Sequence, residues 1–216
     1  MNKGIILSLP RYDTVTEYLS QFSLEIENLG EVKGLAVKTI RDKSVTKKEF
    51  EKVVKKLNYN FLVLNGHGTH DSILGHNDEV IIKLGENEYL LKGRITYCRS
   101  CDAGAMLGKN CLDSSGNGCF IGYRTKFEFC FDGMWESTPL KDETARLFLE
   151  PSNLVPISLI KGNSTKEAHE KSRNKILKNI KKLFRSKRQE APFIAESLWN
   201  NYFGQVLFGN ENARIE

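Results

Sequence analysis

A chain of 216 residues, 40% of them hydrophobic and 27% charged, suits one globular domain, residues 1–216, with a core of its own. No apolar run approaches the roughly 20 residues that cross a bilayer, and the stretch Gly4–Leu9, closed by Pro10, is too short for a secretory signal; a cytoplasmic location without a membrane partner is expected. The net charge of +5 is local: eleven Lys or Arg against two Glu fall between Lys161 and Arg188, leaving the rest of the chain net negative.

In chain order, Gly4–Leu9 is a buried-strand candidate and Thr14–Ile26 a helix. Gly34–Ile40 is a second strand. Ser44–Leu57 carries Val45, Phe50, Val53, Val54 and Leu57 at helical spacing, with Ser44 or Thr46 as N-cap. Phe61–Leu64 is apolar throughout, as a central strand covered on both faces requires. This β–α–β–α–β run predicts an α/β domain with a mainly parallel sheet flanked by helices. Such sheets bind ligands at the carboxyl ends of their strands. Further on, Glu79–Leu84 and Glu88–Leu91 read as a hairpin, Arg94–Cys98 as a strand and Ala103–Gly108 as the start of a short helix. Gly118–Tyr123 reads as a strand continuing toward Phe131. Lys141–Leu149, Thr165–Arg188 and Pro192–Phe203 read as helices.

Two chemically loaded segments follow apolar strands. In Phe61-Leu-Val-Leu-Asn-Gly-His67-Gly68 an imidazole sits between two glycines at a strand end. In Ile95-Thr-Tyr-Cys-Arg-Ser-Cys101-Asp-Ala-Gly104 a strand ends in a turn that bears a thiol. A thiol at a helix N-terminus is biased toward thiolate, an imidazole moves its proton, and backbone N–H groups at the turn stabilise an oxyanion. Acyl transfer needs these parts together.

The same residues resemble the caspase, metacaspase and gingipain superfamily of cysteine peptidases. Ser100-Cys101-Asp102-Ala103-Gly104 is similar to the Ser-Cys-x-x-Gly signature of metacaspases and bacterial CHAT-type peptidases. Gly118-Cys-Phe-Ile-Gly-Tyr123 and Ala191-Pro-Phe-Ile-Ala-Glu-Ser-Leu-Trp199 are similar to later segments of the bacterial members. The resemblance implies a caspase-like three-layer domain with His67 as catalytic histidine and Cys101 as nucleophile. It implies the backbone N–H groups of Gly68 and Cys101 as oxyanion hole, with no cofactor and no metal. A third catalytic side chain is not required, and none is evident. Metacaspases carry an acid two residues before the nucleophile; Arg99 stands there in this chain. Lining the pocket with Asp102 beside it, Arg99 favours an acidic or neutral residue before the scissile bond, with Glu128 and Asp132 as further contributors. The partner implied is a protein substrate, such as a gasdermin-type effector cleaved in a bacterial defence or cell-death system.

Other readings compete. Five cysteines, an odd number, do not make a disulfide scaffold. Cys98-Arg-Ser-Cys101 fits a redox CxxC motif, though thioredoxin-like domains place it after their first strand. His67-x-x-His70 with that pair offers zinc ligand types. A binding module on the same fold would leave thiol and imidazole incidental. Cys111, Cys119 and Cys130 are read as structural, and His70 and His76 as loop residues. Trp135 is either a pocket wall or a cap on the core. The basic helix sets Ile176, Leu177, Ile180, Leu183 and Phe184 on one stripe and its lysines on a solvated face, so nucleic acid is not the expected partner.

Overall fold

The computed structural model describes residues 1–112 and 116–215. Its apolar runs assemble as β1 (Asn2–Leu9), β2 (Ala36–Arg41), β3 (Tyr59–Asn65), β6 (Ile95–Arg99) and β7 (Cys119–Tyr123), completed by β8 (Gln205–Gly209). The sheet order is β2-β1-β3-β6-β7-β8. All neighbours pair in parallel except β8, which runs antiparallel along β7. The α/β expectation therefore holds, with a mainly parallel sheet and one antiparallel edge.

Alternation along the strands divides the core between the two faces. Leu62 and Leu64 join Ile6, Cys98 and Phe120 on one face, under α2 (Lys47–Leu57). Phe61 and Val63 join Ile5, Leu7, Tyr97 and Ile121 on the other, where α1 (Thr14–Val32) and α4 (Glu143–Ile160) pack. α5 (Thr165–Phe184) and α6 (Ala191–Gly204) build a further cluster with α4 through Phe148, Ile176, Ile180, Ile194 and Leu198. Among the described residues no helix is long and apolar enough to cross a membrane.

Four elements differ from the sequence expectation. The predicted hairpin pairs otherwise: β5 (Val80–Lys83) joins β4 (Ser72–Leu74), and Glu88–Leu91 forms a 3-10 turn. β8 follows α6 without a loop, so no turn residues announce it. The strand at β7 ends at Tyr123 rather than continuing toward Phe131. α4 runs through Pro151 and Pro156, well past Leu149. Pro151 has no N–H to give the Leu147 carbonyl; the Asn179 side chain of α5 donates to that carbonyl instead, at 2.7 Å.

Candidate active site

Strand register builds the site. Asn65 at the end of β3 pairs with Arg99 at the end of β6. His67 and Cys101 each lie two residues beyond those partners, so parallel pairing delivers imidazole and thiol side by side at the carboxyl edge. On the other flank of β3, β1 ends at Leu9, and the chain leaving it carries Asp13. Three adjacent strands thus present a carboxylate, an imidazole and a thiol in spatial order.

The Asp13 carboxylate has two tasks. One oxygen caps α1, accepting from the Thr16 N–H at 2.8 Å within a capping box. The other lies 2.7 Å from His67 Nε2. Burial pushes the Asp13 carboxyl upward, but the hydrogen bonds from Thr16 and His67 outweigh it and hold the group below its ordinary value. The ionised carboxylate accepts a hydrogen bond from Nε2–H and so leaves Nδ1 as the basic nitrogen. Where the sequence made no third side chain evident, the structure sets the Asp13 carboxylate against the imidazole. Asp13 lies 54 residues from His67 in sequence, and its one sequence signal is its place just after the first apolar strand.

The imidazole and thiol loops clasp each other. The His70 carbonyl accepts from the Met106 and Leu107 N–H groups at 3.1 and 2.9 Å. A Cβ on residue 68 would lie 2.8 Å from both the Cys101 carbonyl oxygen and the Ser100 hydroxyl, so only glycine permits this approach. Gly104 seats the turn on β7 in the same way: its N–H donates to the Tyr123 carbonyl at 2.8 Å, and a Cβ would meet the Tyr123 carbonyl carbon at 2.9 Å. Among the described residues, the N–H groups of Gly68 and Cys101 donate to no protein acceptor. Both remain free for an oxyanion.

His67 and Cys101 line one open cleft of about 520 Å³ with Val15, Phe193, Ser197 and the stretch from Phe127 to Phe131. The thiol points at the Phe127 carbonyl, 3.9 Å away. Along 127–131 alternate phenylalanine rings stand tilted to one another with centroids 6.2 and 6.0 Å apart, the spacing that side-chain alternation along an extended segment produces. Among the described residues it pairs with no strand. Instead Asn201 on α6 grips Glu128, accepting from its N–H at 2.9 Å and donating to its carbonyl at 2.5 Å.

The expected helix-terminal activation of Cys101 is not present. Residues 103–106 form turns, and α3 (Leu107–Asn110) is a single turn that begins six residues after the thiol. Burial pushes the Cys101 thiol up and, with the charges of Asp102 and Glu128, outweighs the lowering by the Phe127 carbonyl contact and the charge of Lys126. The resting group is a thiol, and for it to act as a nucleophile a nearby base would have to take its proton.

Arg99 does not line the cleft. It is 0% exposed and points to the α1 and α4 side of the sheet. Its guanidinium donates to Asn65 Oδ1 (2.9 Å), Asn153 Oδ1 (2.8 Å), Ser23 Oγ (2.7 Å) and the Leu19 carbonyl (3.0 Å). Alternation is the reason, because residue 99 shares the face of Tyr97. Asp102, at φ 57°, faces an adjoining depression with Arg124, Lys126, Glu128 and Phe203 rather than the cleft itself. Cys98 is buried in the opposite core cluster beside Phe120, its thiol pushed up to about 12 by burial, so the two thiols of the CxxC spacing have separate surroundings. Among the described residues no three His, Cys, Asp or Glu side chains group as a metal site. Cys130, read as structural, is half-exposed on the cleft. The side chain of His70 is exposed, and Trp135 lies beside Lys141, outside the cleft lining.

No protein-family model matches this chain, and a search of the curated proteins finds no match.

Proposed function

We propose that the protein is a caspase-like cysteine endopeptidase acting through an acyl-enzyme on Cys101. The observation that carries this reading is that Cys101 and His67 line one cleft, with the Asp13 carboxylate on the imidazole and, among the described residues, the neighbouring Gly68 and Cys101 N–H groups unpaired. In the reaction, the Cys101 sulfur attacks the scissile carbonyl as His67 Nδ1 takes the thiol proton. The N–H groups of Gly68 and Cys101 hold the oxyanion. His67 then returns the proton to the leaving amine as the C–N bond breaks. Water, deprotonated by the same nitrogen, releases the acid and regenerates the thiol.

A polypeptide substrate is favoured by the stretch 127–131. With Glu128 gripped from the α6 side, the backbone groups of Phe127 and Phe129 face the opposite edge, unpaired by any strand, where a peptide backbone pairs well. The test is cleavage of a diverse peptide library by wild type and three variants. Activity lost in Cys101→Ala and His67→Ala but kept in Cys98→Ala is the expected result. Cleavage that survives Cys101→Ala would sink the proposal.

A further inference from the structure

With Arg99 buried, the charge beside the nucleophile differs from what its place in the sequence implied. Apart from His67 and the two thiols, Glu128 is the one titratable residue among those lining the cleft, and no lysine or arginine is there. The Glu128 carboxylate is drawn toward the Asn200 amide, at 3.3 and 3.4 Å, on the α6 side. Arg124 and Lys126 belong to the adjoining depression. The rest of the cleft wall is mostly apolar: Val15, Phe127, Phe129, Phe131 and Phe193.

This wall is built rather than incidental. Phe129 and Phe131 lean on Tyr18, with ring centroids 5.7 and 5.3 Å away, and Tyr18 is fixed by its hydroxyl, which donates to Asp142 at 2.9 Å. Phe193 stands on the first turn of α6 and is 66% exposed; Phe131 is 38% exposed. Large aromatic side chains left open at the rim of a cleft present apolar surface to whatever enters it. An acidic side chain would be desolvated there without a cation, which opposes its entry.

We infer that this aromatic-walled cleft is a specificity subsite for a large apolar side chain next to the scissile bond, with Phe131 and Phe193 as its selecting residues. The inference rests on the peptidase reading of the same site. Apolar pockets discriminate by roughly tenfold or more for each missing group of methylene size or larger, so Phe or Leu is favoured over Ala, Asp and Lys by at least about that factor.

The test uses peptidyl chloromethyl ketones that differ only in the residue next to the reactive carbon: Phe, Leu, Ala, Lys or Asp. Alkylation of Cys101 is followed by intact mass, each rate divided by that of chloroacetamide to remove intrinsic thiol reactivity. Phe and Leu probes should lead by about tenfold or more, and Phe193→Ser and Phe131→Ser should each shrink that lead. Phe193 is exposed, so its replacement tests the subsite without disturbing the core. Equal rates across the series, a fastest Asp probe, or a fastest Lys probe drawn by Glu128 would overturn the subsite. Peptidyl labelling that is unchanged in His67→Ala would count against the peptidase reading instead, and the side-chain order in the same assay would still decide the subsite.

Discussion

At the scale of single residues, Arg99 is not where its place in the sequence implies, and Asp13 does more than cap a helix. One Asp13 oxygen caps α1, and the other sets the tautomer of His67. In Asp13→Asn the amide oxygen still caps α1, while its NH2 donates to Nε2 and places the ring proton on the wrong nitrogen. The expected outcome is a kcat lowered by up to roughly 10⁴-fold with KM little changed and thermal stability nearly intact, a pattern that marks a positioning residue. Asp13→Ala should add about 1 kcal/mol of instability through the lost cap. Arg99 is a buried cation whose hydrogen bonds go to neutral groups of β3, α1 and α4; burial lowers its pKa. Lysine cannot reproduce the planar fork. Arg99→Lys should therefore cost about 2–4 kcal/mol in urea unfolding, and the folded remainder should keep its preference among peptide substrates. A changed preference would return Arg99 to the pocket.

At the scale of elements, the clasp between the two loops predicts that Gly68→Ala drives the imidazole loop away from Cys101. A new methyl 2.8 Å from the Cys101 carbonyl oxygen must move one backbone or the other. Activity should fall by roughly 100-fold for a displacement near 1 Å, with a modest loss of about 1–3 kcal/mol in stability. Much of this arrangement was legible beforehand. The strands β1, β3, β6 and β7 are near-continuous apolar runs because parallel strands are buried on both faces, and the two glycine-bearing segments stood at their ends. Other parts were not legible, for separable reasons. Asp13 meets His67 only across the sheet edge, through pairing that no local pattern records. Arg99 closes an apolar strand, and alternation alone does not say which face is lined by amides and hydroxyls. The prolines of α4 stopped the predicted helix because the compensating donor, Asn179, lies on another helix.

At the scale of the whole molecule, stability should depend on pH through His169 of α5. Burial, and then the charge of Arg173, push its pKa down to about 4. The folded chain therefore holds this imidazole neutral where the unfolded chain, with an ordinary value near 6.5, takes up a proton. The stabilisation is complete above about pH 6.5 and is lost as pH falls toward 4, amounting to about 2 kcal/mol once solvent screening is allowed for. Thermal melts at pH 7 and pH 4.5 should differ more for wild type than for His169→Gln.

The hydrogen bonds that join Met106 and Leu107 to the His70 carbonyl have a consequence for time as well as for shape. Those two amides have no part in the chemistry, yet deuterium reaches them only when the segments bearing imidazole and thiol separate. Their exchange rate is a clock for how often imidazole and thiol lose each other. Under the proposed peptidase function, a bound peptide that bridges the cleft should slow that clock without touching either amide.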